Sequence, residues 1–205
     1  MNRKRGGPMT LVTEAMIFAA QMHDGAVRKG STIPYIVHPM EAAAIAATLT
    51  DDPHVIAATV LHDVMEDCGV THEELEARFG ARVADLVRED SQNLGAYARA
   101  SWGACRHAAL RKIKTAGRDL KLIVLSDKLS NIRAMYRDFT RDGIAMFRKF
   151  NQSDVRKHAW YYRSCETLIR SEFEDTSAWR ELHALIGVVF EGVESVPPED
   201  ETCAV

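Results

Sequence analysis

Ionisable side chains crowd into one short stretch of this chain, the segment LHDVMED, whose charged members are His62, Asp63, Glu66 and Asp67. The residues before it, Val55 to Leu61, are nearly all apolar, which predicts that the motif lies on a mostly buried helix. Burying three carboxylates beside one imidazole is costly unless something compensates, and a divalent metal ion is the simplest compensation. A solvated surface stripe is the alternative, and the apolar run argues against it.

Such a site would support hydrolysis, because a cation lowers the pKa of a bound water and makes it a stronger nucleophile. Helical spacing places His62 over Glu66 and Asp63 over Asp67. Glu66 and Asp67 would then lie one turn beyond the metal and could orient or deprotonate the attacking water. Mutual repulsion should raise the apparent pKa of this pair of carboxylates. The motif therefore predicts Glu66 and Asp67 as the catalytic residues.

A metal site needs more ligands than His62 and Asp63, and two other segments offer them. His38 stands directly before Pro39, at the predicted N-terminus of an alanine-rich helix. Asp127 belongs to LIVLSDKLSNIR, whose apolar residues follow a helical period. Taken alone, His38 is typical of a core or capping histidine and Asp127 of a surface carboxylate. Together the four residues form a mixed nitrogen and oxygen site for one divalent metal, manganese or zinc with iron possible, rather than calcium or magnesium.

The segment Val27 to Val37 is the loop that we expect to bind substrate. It contains Arg28, Lys29 and Gly30 and leads directly into His38. A glycine beside two cations lets the backbone approach a phosphate closely. Without the neighbouring metal motif, a surface loop with two solvated cations would be the preferred interpretation.

Helices must position all of these residues, because the chain shows neither sustained alternation of apolar and polar residues nor hairpin signals. We predict an all-α fold, one compact multi-helix domain with a buried metal site. Asp52 before Pro53, the pair Thr71 and Glu74, and Ser101 indicate helix starts. The predicted helices are Leu11–His23, Pro39–Leu49, Pro53–Asp67, His72–Phe79, Arg82–Asp90, Trp102–Ala116, Leu120–Phe139, Ile144–Lys149, Asp154–Phe173 and Ala178–Glu194.

Length and composition narrow the function further. The chain has 205 residues, which is enough for one well-packed domain at 11–195, between a flexible leader at 1–10 and a disordered tail at 196–205. A formal net charge of −3 argues against broad nucleic-acid binding. No signal peptide or membrane span is visible, and the four cysteines show neither disulfide nor metal spacing, so we expect a cytoplasmic protein. The oligomeric state stays open.

Three blocks of the sequence resemble the HD-domain phosphohydrolases, and more closely the hydrolase domain of RelA/SpoT-type alarmone enzymes and the small alarmone hydrolases. They are VRKGSTIPYIVHPMEAAAIA (Val27 to Ala46), AATVLHDVMEDCGVTHEELEARFGARVADLV (Ala57 to Val87) and LIVLSDKLSNIRAM (Leu122 to Met135). An HD pair alone is weak evidence, whereas HDxxED preceded by PYIxHP and followed by DKLxNxR is specific. The blocks cover about a third of the chain in the family's order.

The resemblance implies roles for individual residues. The family's metal ligands match His38, His62, Asp63 and Asp127, and its catalytic carboxylates match Glu66 and Asp67. The family's nucleotide pocket matches Arg28 and Lys29, with a nucleoside contact at Asn131. The implied reaction releases pyrophosphate from the 3′-diphosphate of guanosine alarmones, (p)ppGpp, leaving GDP or GTP. Long family members often carry serine where this chain has Gly30, which leaves the exact nucleotide open.

Two other functions remain open at this point. One is phosphohydrolysis of another nucleotide, such as an adenosine alarmone, NADPH or a nucleoside monophosphate. The other is a non-catalytic metal-binding or antitoxin-like partner, against which the intact Glu66 and Asp67 argue.

Further cations and aromatic residues lie outside the motif. The helix before Asp127 carries four cations that could add positive potential to the site, and all but one of them are expected on a solvated face: Arg106, Arg111, Lys112 and Lys114. The aromatic residues Trp160, Tyr161 and Tyr162 could stack on a base, but in an amphipathic helix they are more often part of the core. The irregular segment Gln92 to Trp102 is a candidate lid.

Overall fold

The computed structural model describes residues 9–91 and 101–199. Within these ranges the regular structure is helical apart from one isolated bridge between Val27 and Pro34, so the all-α prediction is confirmed. The α-helices are α1 (Leu11–Met22), α2 (Val37–Ala46), α3 (Pro53–Leu61), α4 (Val64–Cys68), α5 (His72–Phe79), α6 (Ala81–Asp90), α7 (Trp102–Thr115), α8 (Arg118–Asp142), α9 (Val155–Phe173) and α10 (Ser177–Val189). A 3-10 helix, Gly143–Lys149, follows α8.

Several helix ends follow from local chemistry. The side chain of Asp52 accepts a hydrogen bond from the backbone N–H of His54 at the start of α3, where Pro53 is the first helical residue. Thr71 and Glu74 form the predicted capping box of α5. Ser101 caps α7 by accepting from the N–H of Ala104. These starts needed no tertiary contact to be predicted.

The prediction of one continuous helix over Pro53–Asp67 is wrong, because α3 ends at Leu61 and α4 begins at Val64. The interruption falls on His62 and Asp63. Neighbouring side chains of a continuous helix point in different directions, so the two could not face one ion. With the break, Oδ2 of Asp63 lies 3.0 Å from Nε2 of His62.

At the other helices, the predicted and observed boundaries differ by fewer residues. The second helix begins at Val37 instead of Pro39, which places His38 inside its first turn. The segment predicted as a helix over Ile144–Lys149 is the 3-10 helix, and α10 ends at Val189 instead of Glu194.

Helix α8 is the centre of the fold. It packs against α10, α2, the 3-10 helix, α3, α6 and α9. Its side chains Leu122, Ile123, Leu125 and Ile132 are fully buried and belong to an apolar cluster that runs from Ala15 to Phe190. Asp127 lies on this helix, so the surrounding core holds one proposed ligand rigidly.

Part of the sequence-based organisation falls outside the described residues. This applies to residues 1–8 of the predicted leader, residues 92–100 of the candidate lid and residues 200–205 of the predicted tail. Within the tail, the backbone N–H of Val196 donates to the carbonyl of Arg156, and Pro198 is buried against α7. In the described parts of the chain, none of the helices combines the length and apolar character needed to cross a membrane.

Candidate metal and nucleotide site

His62 lies at the junction of α3 and α4 with 2 % of its surface exposed. Its Nδ1 is 2.8 Å from the carbonyl oxygen of Thr59. A carbonyl only accepts, so Nδ1 carries a proton. Burial lowers the pKa of His62, but the neighbouring Asp63 and Asp127 outweigh burial and raise it, so a metal ion would have to displace a proton from Nε2 to use its lone pair. This buried Nε2 has no hydrogen-bond partner, although carboxylate oxygens stand nearby. A cation between these acceptors would satisfy them.

His38 is oriented by a hydrogen-bond chain that links α2 to α8. Its Nδ1 lies 2.8 Å from Oγ of Ser130, and that hydroxyl donates to Oε2 of Glu41 at 2.7 Å. Because the serine proton is engaged by Glu41, Nδ1 of His38 is the donor in its own bond. Its Nε2 is therefore free to bind a metal ion.

The acceptor atoms of the predicted ligands converge. Nε2 of His38 lies 3.2 Å from Oδ1 of Asp127 and 3.7 Å from Oδ2 of Asp63. Nε2 of His62 is 3.7 Å from the same atom of Asp127. The ligand atoms of His38, His62 and Asp127 all lie within 4.8 Å of one another. The arrangement of two imidazole lone pairs and two carboxylates suits a divalent metal ion.

Electrostatics favour a cation at this position. Burial alone would raise the pKa of Asp63. The positive charge of the neighbouring His62 has the larger effect, so the pKa of Asp63 lies below its usual value. Burial likewise opposes ionisation of Asp127, yet Lys128 and the two histidines hold its pKa well below the usual range. Both carboxylates are therefore anionic near neutral pH.

Three further residues hold the proposed ligands, and the sequence analysis assigned this role to none of them. Oη of Tyr35 donates to Oδ2 of Asp63 at 2.6 Å. Lys128 pairs with Oδ2 of Asp127, and Nδ2 of Asn131 donates to Oδ1 of the same carboxylate at 2.5 Å. Helical spacing from Asp127 to Asn131 was visible in the sequence, whereas no local pattern points from Tyr35 to Asp63.

The two predicted catalytic carboxylates lie on the short helix α4 and face different neighbours. The residue Asp67 is exposed as a whole, but its carboxyl group is partly desolvated, and this desolvation together with the charge of Asp63 raises its pKa. Mutual repulsion between Glu66 and Asp67, the predicted cause, is not the main one. Glu66 is partly buried and lies close enough to Lys112 to influence it electrostatically.

A cavity of about 370 Å³ adjoins the cluster at His38. Arg28 and Lys29 line it, and each donates to a neutral amide, Oδ1 of Asn131 at 2.7 Å and Oδ1 of Asn151 at 2.5 Å respectively. These bonds fix the two side chains without cancelling their charge. The cavity is therefore suited to a phosphorylated ligand.

The loop that carries these cations depends on Gly30. Its φ is +71°, and a Cβ at this position would lie 2.9 Å from Cδ of Lys149. Glycine thus allows both the left-handed turn and the close approach of the loop to the 3-10 helix.

Among the cations of α7, only Arg106 lines this cavity. Arg111 and Lys114 are exposed as expected, and Lys112 donates to the carbonyl of Ser91 at 2.7 Å. The aromatic residues Tyr161 and Tyr162 are buried, yet both also line the cavity. Arg106 is thus the single exception that the sequence analysis allowed for among these four cations.

The family model for the HD domain matches residues 15–150, more than half of the sequence. This chain belongs to the HD-domain family. The family assignment made from the three sequence blocks is thereby confirmed.

Curated relatives carry more specific names. A guanosine-3′,5′-bis(diphosphate) 3′-pyrophosphohydrolase of Vibrio cholerae is 43% identical over 74 residues, 36% of this chain and 10% of that protein. A protein of the same name from Aquifex aeolicus is 35% identical over 125 residues, 61% of this chain and 18% of its own length. The chain thus spans only a small part of these relatives.

A solved structure extends the similarity over most of the chain. It is a metazoan ortholog of SpoT, described as hydrolysing ppGpp, and it superimposes with a TM-score of 0.69 at 23% identity. The match covers 87% of this chain and 95% of that one. The two proteins therefore share one fold over nearly the whole of the smaller domain.

Proposed function

We propose that this protein is a metal-dependent nucleotide pyrophosphohydrolase that removes the 3′-diphosphate from guanosine alarmones, (p)ppGpp, and leaves GDP or GTP. The observation that carries this proposal is the convergence of His38, His62 and Asp127, with Asp63 beside both histidines, next to a cavity lined by Arg28 and Lys29. The names of the relatives support the choice of substrate.

The ligands in this proposal are His38, His62, Asp63 and Asp127, and the metal is manganese or zinc, with iron as a third option. Imidazole and carboxylate together suit these ions better than calcium or magnesium. When bound, such an ion lowers the pKa of a water and polarises a phosphoryl oxygen. The protein's part is to hold both imidazoles in the correct tautomer and both carboxylates in the ionised state.

Glu66 and Asp67 are the catalytic carboxylates of the proposal. The raised pKa of Asp67 makes this group a better proton acceptor near neutral pH than an ordinary aspartate. The nucleophilic water would lose its proton to this pair as its oxygen attacks phosphorus. The bond between the attacked phosphorus and the ribose 3′-oxygen then breaks, the 3′-oxygen takes up a proton and leaves as the hydroxyl group of GDP or GTP, and the water oxygen leaves in pyrophosphate.

Arg28 and Lys29 bind the phosphates of the nucleotide, Arg28 as a planar fork and Lys29 as a point charge. In the structure both polar atoms of the Asn131 side chain are engaged, one by Arg28 and one by Asp127. Each atom keeps one further hydrogen-bonding position, so Asn131 can contact the nucleoside while it connects the phosphate-binding loop to a metal ligand.

Turnover assays with charge-neutral variants test this function. We expect the manganese- or zinc-loaded protein to release pyrophosphate from guanosine tetraphosphate, and Glu66→Gln and Asp67→Asn each to lower kcat by about 100-fold or more. Both variants should retain the metal, measured by elemental analysis. Glu73→Gln, an exposed carboxylate of α5, is the matched control and should leave kcat unchanged.

Two outcomes would contradict the proposal. Full activity of the Glu66→Gln/Asp67→Asn double variant would exclude the assigned carboxylates. A panel of nucleotides tests the alternatives. Hydrolysis of only an adenosine alarmone, NADPH or a nucleoside monophosphate, the last with release of orthophosphate, would favour a phosphohydrolase for another nucleotide. No turnover of any nucleotide would favour a non-catalytic partner.

A further inference from the structure

We propose that Glu41 and Arg133 are positioning residues of the metal site, which act through Ser130 to keep Nε2 of His38 unprotonated. Their role rests on the proposed function, in which His38 is a metal ligand. Neither Glu41 nor Arg133 was assigned a role from the sequence, and the packing of α2 against α8 brings them together.

Helical spacing aligns the four side chains in two rows. His38 and Glu41 are three residues apart on α2 and share one face of that helix, and the same spacing relates Ser130 to Arg133 on α8. One contact joins His38 to Ser130, with Nδ1 2.8 Å from Oγ. Another joins Arg133 to Glu41, with Nη1 donating to Oε1 at 3.2 Å. The hydroxyl of Ser130 donates to Oε2 of Glu41 at 2.7 Å and connects both contacts into one chain.

Arg133 is held from its other side by α10. Its Nε and Nη2 donate to the two carboxylate oxygens of Glu181 at 2.7 and 2.6 Å, a bidentate pair that fixes the plane of the guanidinium. The remaining Nη1 therefore meets Glu41 in one orientation. Side-chain exposure falls from 42 % at Glu181 to 27 % at Glu41 and 3 % at His38, so the chain of bonds runs from the surface to the buried metal ligands.

The chemistry of these groups fixes the direction of the hydrogen bonds. A guanidinium only donates and a carboxylate only accepts, whereas a hydroxyl can do either. Both oxygens of Glu41 accept, so the proton of Ser130 is committed to Glu41 and His38 donates from Nδ1. In the opposite direction, Ser130 would donate to Nδ1 and the ring proton would lie on Nε2. That proton would face Oδ1 of Asp127, 3.2 Å away, and would block the approach of a metal ion.

Metal affinity tests this role, measured by competition against a chelator and without nucleotide, because Glu41 also lines the cavity. We expect Glu41→Gln to weaken metal binding by about tenfold, since an amide offers one acceptor atom to two donors. Arg133→Gln should weaken metal binding severalfold, because Glu41 is then held from one side only. Glu172→Gln is the matched control and should leave affinity unchanged, because Glu172 pairs with Lys121 of α8 and its side chain is also 27 % exposed.

Removing the hydroxyl of Ser130 distinguishes positioning from a general effect on the fold. In a Ser130→Ala background, Glu41→Gln and Arg133→Gln should each change metal affinity by less than about twofold, because the link to His38 is already broken. A merely structural contribution would lower affinity by the same factor in both backgrounds. Glu41→Asp keeps both acceptor oxygens on a shorter side chain and should recover part of the affinity lost in Glu41→Gln. If circular dichroism shows that Glu41→Gln is unfolded, the same comparison is made with Arg133→Gln.

The ring proton of His38 can be observed directly by nitrogen NMR of protein with isotope-labelled histidine, free of metal, at about pH 8, above the ordinary pKa of histidine. We expect the unsubstituted protein to carry this proton on Nδ1 alone, and Glu41→Gln to move a measurable fraction of it to Nε2. The same proton position in both proteins, or additive losses of metal affinity, would overturn the assignment. Neither measurement needs turnover, so a failure to hydrolyse guanosine tetraphosphate would leave this assignment intact.

Discussion

The two imidazoles of the cluster each hold a proton on Nδ1 by different means. His62 donates from Nδ1 to a carbonyl three residues earlier, in the last turn of α3, so the position of this proton is set locally. His38 donates to Ser130, which is 92 positions away on α8, and Ser130 in turn donates to Glu41. The orientation of His38 therefore depends on the packing of α2 against α8.

At the scale of single residues, we expect Ser130→Ala to weaken metal binding by about tenfold, because partners of a ligand's second ring nitrogen typically contribute 10- to 100-fold to affinity. The measurement is a competition titration against a chelator. Ser126→Ala is the matched control, since Ser126 is equally buried on α8 but bonds only to the carbonyl of Leu122. Equal metal affinities for both variants would show that His38 does not depend on Ser130.

At the scale of elements, the break between α3 and α4 allows the adjacent residues His62 and Asp63 to face the same point, where both could bind one metal ion. Asp63 has φ −95° and ψ −8°, and α4 ends after one turn at Gly69, with φ +69°. The short helix returns the chain quickly enough for Tyr35 and His23 to influence Asp67 on the same side as Asp63. Gly69, the left-handed residue at the end of α4, thus helps to place Asp67 near Asp63.

Substituting Gly69 tests the contribution of that turn. Nothing lies within 4 Å of an added Cβ at this position, so the cost of Gly69→Ala is conformational. We expect a loss of about 1–2 kcal/mol in the free energy of unfolding, measured by urea denaturation. Gly187→Ala, in the exposed interior of α10, should instead gain about 0.5–1 kcal/mol. A stabilised Gly69→Ala variant would contradict the left-handed conformation.

At the scale of the whole molecule, the proposed ligands come from α2, from the junction after α3 and from α8. A metal ion would therefore join segments that are far apart in sequence but packed around the central helix. Binding to the folded chain alone must then stabilise the fold as a whole.

Removing the metal should show this coupling directly. With free metal at about 100 times its dissociation constant, the stabilisation is about 2.7 kcal/mol, which corresponds to a fall in Tm of about 5–10 °C on chelation. Thermal unfolding with and without a chelator is the measurement. Asp127→Asn should lose most of this difference, and a chelator-independent Tm in the unsubstituted protein would argue against a shared ion.

Much of the fold was predictable because its signals are local. The N-caps of α3, α5 and α7 are predictable from two to four consecutive residues. The periodic spacing of apolar residues predicted nearly every helix. The interruption at His62 was not predictable, since no proline or glycine stands there and both neighbours favour a helix. For a similar reason the sequence did not show which of the four cations of α7 would line the cavity, because no local signal distinguishes Arg106 from its solvated neighbours.

The sequence by itself determined the kinds of side chain that form the site, the spacing of the HD motif and the family to which the chain belongs. These properties reside in residue identity and in short-range periodicity. Only the tertiary structure decided that Tyr35 supports Asp63, that Ser130 orients His38 and that Arg133 joins Glu41 to Glu181. Such contacts join residues that are distant along the chain, and their geometry exists only once α8 is packed among its neighbours.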